Sequence, residues 1–294
     1  MSNPFQEFNG IVQEDVSLAP LTWYRIGGPA RYMLHPQDPD QLRALARRCV
    51  DANLRVLVLG LGANLLVAEE GVNAAVFRLD ARYWQQVSGN STCLTAGAGT
   101  NMQDLAHDCV RKGLAGLQCM AGIPGTVGGC IRMNAGGKFG EVSTTLTKVT
   151  VMSLDGEIFD RGQDDLVFSY RRSNISATFI LAADFKLEED SPDELVRTFK
   201  EIWMFKKNSQ PLNTKNAGCI FKNPEGFSAG ALIDQAGLKG HRIGNAEISP
   251  KHANFIVAHP DCRAADILQL IDLAREKVQK IHGITLEQEV VVWK

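Results

Sequence analysis

The run Ala121-Gly-Ile-Pro-Gly-Thr-Val-Gly-Gly-Cys130 places four glycines within ten residues, and no other segment constrains the chain as strongly. Without a Cβ the backbone can approach a partner closely, and successive N–H groups can form an anion-binding concavity. A diphosphate is the natural guest of such a run. A second run, Gly60-Leu-Gly-Ala-Asn64, follows directly on the apolar segment Arg55-Val-Leu-Val-Leu59. That segment reads as a strand, so the turn sits at a strand end, where α/β folds receive nucleotide phosphates. Either run taken alone also reads as an ordinary turn. Neither is a standard fingerprint, since Gly60-Leu-Gly-Ala-Asn-Leu-Leu66 lacks the third glycine of G-x-G-x-x-G and no Walker lysine follows either run. Rossmann and P-loop readings both lose ground on that count.

Around these runs the pattern is mixed helix and strand. Asp38-Pro39 supplies an N-cap with proline at the first helical position, and Leu42, Leu45, Ala46 and Cys49 recur at helical spacing. Ala75–Leu79 reads as a strand. A further strand starts at Cys93 and runs to Gly97-Ala-Gly99, and a helix from Met102 to Lys112 stops at Gly113. Asp155-Gly156 between two apolar segments signals a two-residue hairpin loop, and Phe179–Leu187 reads as another strand. Ser191-Pro-Asp-Glu194 has the form of a capping box opening a helix to about Lys207. A long amphipathic helix over Ala264–Ile281, closed by Gly283, and a last strand over Glu287–Trp293 complete an α+β pattern.

At 294 residues the chain exceeds one typical core, which favours two or three domains. A net charge of -2 and isolated basic pairs such as Arg47-Arg48 and Lys206-Lys207 argue against nucleic acid. The amino-terminal MSNPFQEFNG lacks a basic start and apolar run, and no apolar segment nears the roughly 18 to 20 residues that span a bilayer. A cytoplasmic protein with no membrane partner is expected. Seven cysteines without a C-x-x-C pair suggest neither a disulfide framework nor zinc, and no metal-ligand spacing is present.

Nine segments taken in order resemble the UDP-N-acetylenolpyruvoylglucosamine reductases, the MurB family. They begin with Thr22-Trp-Tyr-Arg-Ile-Gly-Gly-Pro-Ala30, the two glycine runs with Met133-Asn-Ala-Gly136, and Tyr170-Arg-Arg-Ser173. They continue through Ala217-Gly-Cys-Ile-Phe-Lys-Asn-Pro224, Ala229-Gly230, Ala236-Gly-Leu-Lys-Gly240, His252-Ala-Asn-Phe-Ile256 and Leu286-Glu-Gln-Glu-Val290. The similarity spans residues 18 to 294, and the lack of an extra tyrosine-bearing loop makes it similar to the shorter, type II form. The resemblance implies an α+β fold with a two-subdomain, vanillyl-alcohol-oxidase-like FAD-binding region and a carboxy-terminal α+β substrate-binding domain. Residues 1–80, 81–190 and 191–294 are the expected divisions. It further implies NADPH-dependent reduction of UDP-N-acetylglucosamine enolpyruvate to UDP-N-acetylmuramate in peptidoglycan precursor synthesis. By that analogy NADPH reduces the flavin and leaves before the UDP-sugar enters, and the enzyme works as a monomer.

The same resemblance implies the site. FAD would be held by Gly60, Gly62, Ala63, Asn64 and Leu65, by Gly122, Ile123, Gly125, Thr126, Gly128 and Gly129, and by Asn134 and Ala135. Arg171 would bind the substrate carboxylate, a task that suits a planar fork of donors with permanent charge; by composition alone it reads as a solvated arginine. Glu289 would assist the enolate-like charge, although strand alternation puts Glu287 and Glu289 on one face and cannot choose between them. Cys219 stands where most of the family carries a serine as proton donor. A thiol, with an ordinary pKa near 8.5, gives up a proton more readily than a hydroxyl, while an arbitrary cysteine is more often buried and inert. Tyr170, Lys206, Lys222, Asn223 and His252 would bind substrate, with Ser209 standing where many relatives have a basic residue. An oxidase on the same nucleotide-binding region, or a flavin-binding protein without catalysis, are the rival classes.

Overall fold

A computed structural model describes residues 3–294. The chain divides into two compact units. The first comprises the segment up to Asp15, Arg31–Leu61 and Asn73–Met204, and the second comprises Val16–Ala30, Gly62–Val72 and Phe205–Lys294. These boundaries differ from 80/81 and 190/191. The second unit takes in early segments because Leu65–Val67 pairs in parallel with Val291–Trp293, Leu65 standing opposite Val291. Pairing over so long a sequence separation leaves no local signal.

Two sheets fall on either side of residue 80 in the sequence, the second of them wholly in the first unit. One has the strand order Val12–Ser17, Pro29–Leu34, Val72–Phe77, Arg55–Val58, the last two being parallel with Val58 opposite Phe77. The other is antiparallel in the order Ile158–Gly162, Leu146–Met152, Phe179–Lys186, Cys93–Gly97, Val87–Asn90. The helix Pro39–Asp51 begins where expected, the Asp38 carboxylate accepting from the Gln41 N–H at 2.8 Å. Its Leu42, Leu45, Ala46 and Cys49 are buried in a core that also holds Phe77, Trp84, Met102 and Phe179. Each such leucine contributes roughly 1.5–3 kcal/mol through burial.

Three expectations are adjusted. The strand expected at Ala75–Leu79 is Val72–Phe77, positioned by its pairing with Arg55–Val58. The hairpin at Asp155-Gly156 forms, but its loop is longer than two residues: Ser153 N–H donates to Glu157 O at 2.9 Å and Gly156 N–H to Ser153 O at 3.1 Å. Gly156, at φ +91°, supplies the left-handed residue that closes a three-residue loop. The final strand is confined to Val291–Trp293, with Gln288 in a separate antiparallel bridge to Phe221. The chain changes partner between them, so the two pairings do not merge.

The second unit contains a three-stranded antiparallel sheet, Arg242–Ile243, Ala246–Ile248, Ile256–Ala258. Helices Ala229–Gln235 and Ala264–His282 contribute Leu232, Ile233, Ile267, Leu270 and Ile271 to its core. Gly283, at φ +70°, ends the long helix with its N–H on Gln279 O at 2.9 Å, a left-handed stop. Among the described residues no helix is long and apolar enough to cross a membrane.

Two glycines separate conformation from crowding. Gly237 takes φ +72° with nothing within 4 Å of an added Cβ, whereas at Gly71, φ +76°, that atom would lie 2.0 Å from Pro29 O. Gly237→Ala is expected to cost about 1–2 kcal/mol from the left-handed backbone alone. Gly71→Ala adds overpacking and should cost about 3 kcal/mol or more. Urea denaturation midpoints measure both; equal losses would contradict the packing argument.

Candidate active site

In the first unit the two glycine runs meet. A Cβ on Gly60 would lie 2.9 Å from Thr126 Oγ1, so only glycine allows this approach. The Thr126 hydroxyl also caps the helix Val127–Arg132, accepting from Gly129 N–H at 3.2 Å. Gly122 N–H donates to Gln103 Oε1 at 2.8 Å, and Gln103 Nε2 donates to Ile123 O at 2.8 Å and to Met120 O. Gly128 donates to Ala98 O at 2.9 Å and packs against the Ala98 methyl. Among the described residues, the N–H groups of Gly125 and Thr126 have no protein acceptor. Adjacent donors of this kind beside a second glycine turn fit a diphosphate. The fold therefore suits a dinucleotide such as FAD at Gly60, Gly125 and Thr126.

The helix leads directly to the proposed carboxylate-binding arginine. Asn134 is fully buried, and Ala135 donates its N–H to Cys130 O at 2.7 Å. Asn134 Nδ2 donates to Glu141 Oε2 at 2.7 Å and to Ser169 O at 3.0 Å, while its buried Oδ1 has no partner among the described residues. Ser169 pairs with Arg172, which leaves Tyr170 and Arg171 in a tight turn. Asn134 and Arg171 both have left-handed backbones, at φ +47° and +55°, a conformation uncommon outside glycine that concentrates at functional sites. Arg171 Nη2 donates to Gly136 O at 2.8 Å, and its guanidinium lies 5.0 Å from the centre of the exposed Tyr170 ring. Arg132 is half-buried and donates to Ala177 O at 2.7 Å and Thr178 O at 3.0 Å, anchoring the chain beyond the turn. Burial holds this guanidinium below its ordinary pKa.

The second unit holds Gly62, Ala63, Asn64 and Leu65. Gly62, at φ +64°, has no room for a side chain, since its Cβ would lie 2.2 Å from Leu21 O. Asn64 Nδ2 donates to Glu289 O at 3.2 Å, and Asn64 O accepts from Val291 N–H at 3.1 Å. The loop proposed for FAD is thus hydrogen-bonded to the segment bearing the proposed catalytic glutamate. Glu287 is exposed and forms an ion pair with Lys222 at 2.8 Å, whereas Glu289 is half-buried and donates its N–H to Ile220 O at 2.7 Å. The two glutamates, indistinguishable by alternation, have different surroundings. Cys219 is half-buried and follows Gly218, whose N–H donates to Asn216 Oδ1 at 2.9 Å. Asn254 brackets Phe221 by accepting from its N–H at 2.9 Å and donating to its carbonyl at 2.7 Å.

The remaining binding candidates lie in the same unit. Lys206 is buried, and Asn223 Oδ1 accepts from Ala229 N–H at 2.9 Å. His252 Nδ1 accepts from Asn254 N–H at 3.3 Å, which leaves the ring proton on Nε2. Burial pushes its imidazole below the ordinary range, so it is neutral at pH 7. Among the described residues no group of three or more His, Cys, Asp or Glu could hold a metal ion.

Comparison with known proteins bears on this arrangement. A family model described as the carboxy-terminal domain of UDP-N-acetylenolpyruvoylglucosamine reductase matches residues 210–293, and one described as an FAD binding domain matches residues 30–162. A UDP-N-acetylenolpyruvoylglucosamine reductase of Bradyrhizobium sp. (strain ORS 278) is 37% identical over 93% of this chain and 89% of its own length. The chain belongs to the UDP-N-acetylenolpyruvoylglucosamine reductase family. Another member, from Heliobacterium modesticaldum, is 37% identical over 99% of this chain and 94% of its own. The family's crystal structure from Thermus caldophilus superposes with a TM-score of 0.83 at 38% identity, covering 96% of this chain and 98% of that one. A cholesterol oxidase from Brevibacterium sterolicum, 15% identical with a TM-score of 0.50 over 64% of this chain and 40% of that one, shares the fold alone. The expected α+β class with an FAD-binding region is borne out.

Sequence reading missed Gln103, Glu141 and Arg132 in the first unit and Asn254 in the second, which hold the segments that carry the candidate residues. Gln103 lies two residues after the helix cap Asn101 and looks like any surface glutamine; only the fold brings it to Gly122. No local signal marks Glu141 or Arg132, and Asn254 lies within a family segment without any hint of its partner.

Burial also sorts the thiols. Desolvation pushes Cys49 and Cys130 up to about 12 and Cys109 to about 11, whereas Cys93 is exposed and Cys219 half-buried. A thiol reagent at pH 8 should label Cys93 and Cys219 in the native protein, and the other cysteines only after unfolding. Rapid native labelling of Cys130, read by peptide mass, would contradict the packing of the glycine run.

Proposed function

We propose that this chain reduces UDP-N-acetylglucosamine enolpyruvate to UDP-N-acetylmuramate, with NADPH as electron donor and FAD as bound cofactor, in peptidoglycan precursor synthesis. One observation carries the reading: likeness to the Thermus caldophilus reductase extends over 96% of the chain at 38% identity. It thus includes the carboxy-terminal residues as well as the nucleotide-binding region.

FAD, when bound, supplies hydride transfer from NADPH to C3 of the enolpyruvyl group. The protein must hold the substrate carboxylate, stabilise the charge that develops beside it and deliver a proton to C2. Arg171 is assigned the carboxylate. Its turn is anchored through Ser169 O and Gly136 O, so the guanidinium is positioned before substrate arrives. Cys219 is assigned the proton, which leaves its thiol for C2 and is later regained from solvent. Glu289 is assigned to the developing enolate-like charge, a choice supported by its half-buried position, with its N–H on Ile220 O and its carbonyl held by Asn64 Nδ2. Lys206, Lys222, Asn223, His252 and Tyr170 are assigned to the UDP-sugar, with His252 acting as a neutral hydrogen-bonding group.

Gly60, Gly62, Ala63, Asn64 and Leu65 are assigned to FAD, together with Gly122, Ile123, Gly125, Thr126, Gly128, Gly129, Asn134 and Ala135. The two sheets on either side of residue 80 support a reading of residues 1–80 and 81–190 as separate cofactor subdomains, with residues 191–294 as the substrate domain. A monomer acting in the cytoplasm completes the proposal.

Purified protein supplied with NADPH and the enolpyruvyl UDP-sugar should oxidise NADPH and form UDP-N-acetylmuramate in equal amounts. Cys219→Ala should keep FAD and its reduction by NADPH but lose acceptor reduction about 100-fold or more, as for a general acid; Cys219→Ser should retain substantial activity. Unchanged turnover in Cys219→Ala would remove the proton-donor role. Oxygen consumption with an alcohol or sugar, without reaction of the enolpyruvyl substrate, would replace the reductase reading by an oxidase.

A further inference from the structure

The Asn134 amide joins two elements distant in sequence, bridging the Glu141 carboxylate at 2.7 Å and the Ser169 carbonyl at 3.0 Å. Ser169 is the last residue before the turn that bears Arg171. Asn134 is wholly buried and left-handed at φ +47°, and Arg171 is left-handed at φ +55°. The Asn134 amide reaches the Ser169 carbonyl, two residues before Arg171, and left-handed backbones of this kind persist only where neighbours over-determine them. Glu141 is such a neighbour. Its own backbone is fixed by the pairing of Glu141 with Gly136 and by Thr144 Oγ1 donating to Glu141 O at 2.7 Å. A carboxylate can only accept, so it sets the direction of the Asn134 amide: Nδ2 faces Glu141 and Ser169, and Oδ1 faces away.

We propose that Glu141 is a positioning residue for the reductase reaction, orienting Asn134 so that the Ser169 carbonyl, and with it the Tyr170-Arg171 turn, is held ready for the substrate carboxylate. The inference rests on the proposed enolpyruvyl reductase activity. What Glu141 provides is an acceptor at a fixed reach, not a charge. Glutamine retains an acceptor oxygen at the same reach, aspartate retains the charge but withdraws it by one methylene, and alanine removes both.

The test uses the FAD-loaded full chain. Glu141→Ala should lower kcat for the enolpyruvyl substrate by about 10-fold or more, as small misplacements of a positioning group do. The rate of flavin reduction by NADPH, measured in the same FAD-loaded variant, should fall by a smaller factor than kcat for the enolpyruvyl substrate. Amide hydrogen exchange at Ser169–Arg172 should accelerate in the same variant, a readout independent of turnover. Glu141→Gln should retain most activity and Glu141→Asp should lose it; if the alanine variant does not fold, this pair decides, and the reverse ranking overturns the proposal. In the double variant Glu141→Ala/Arg171→Lys the loss should scarcely exceed that of Arg171→Lys alone. Multiplying losses, or wild-type kcat in Glu141→Ala, would equally overturn it. An inactive wild-type protein would instead remove the reductase reading itself.

Discussion

The site of the first unit depends on the approach of Gly60 to Thr126, where an added Cβ would sit 2.9 Å from the threonine hydroxyl. That hydroxyl is committed to capping the helix Val127–Arg132, so the backbone amides of Gly125 and Thr126 remain available to an anion. A side chain at position 60 would press on the hydroxyl that caps this helix. The dependence continues down the chain. The helix ends in Arg132, which anchors the carbonyls of Ala177 and Thr178, and then in Asn134, which holds Ser169. One short helix thus connects the open amides of Gly125 and Thr126 with the turn that carries Arg171.

The second unit uses asparagine amides in a comparable way. Asn254 satisfies both backbone groups of Phe221, and Asn64 holds Glu289 O. Each fixes a segment that is not in regular secondary structure. Without such partners, buried backbone polar groups would cost about 1–3 kcal/mol apiece. Cys219 and Glu289, assigned to acid and charge stabilisation, are therefore set on irregular backbone, stiffened by side-chain amides.

What was legible in the sequence follows from how local each signal is. The helix cap at Asp38 and the stops at Gly113 and Gly283 depend on neighbouring residues and could be read directly, as could the glycine runs. The partner change between Gln288 and Val291 could not, because its cause is Leu65–Val67, more than two hundred residues earlier. The same pairing explains why the second unit takes in residues 62–72. Motif resemblance supplied the candidates Arg171, Cys219 and Glu289, yet it was silent on Gln103 and Glu141, whose contacts are with carbonyls and amides that only the fold brings near. Glu287 and Glu289 were equivalent by alternation; in the fold Glu287 is exposed and Glu289 half-buried.

Anaerobic titration tests the assignment most directly. The yellow protein, bleached by one equivalent of NADPH and freed of the oxidised nucleotide, should regain its full flavin absorbance on addition of one equivalent of the enolpyruvyl UDP-sugar, with one equivalent of UDP-N-acetylmuramate formed. A bleached flavin that ignores the enolpyruvyl substrate and recovers only when oxygen is admitted would contradict it.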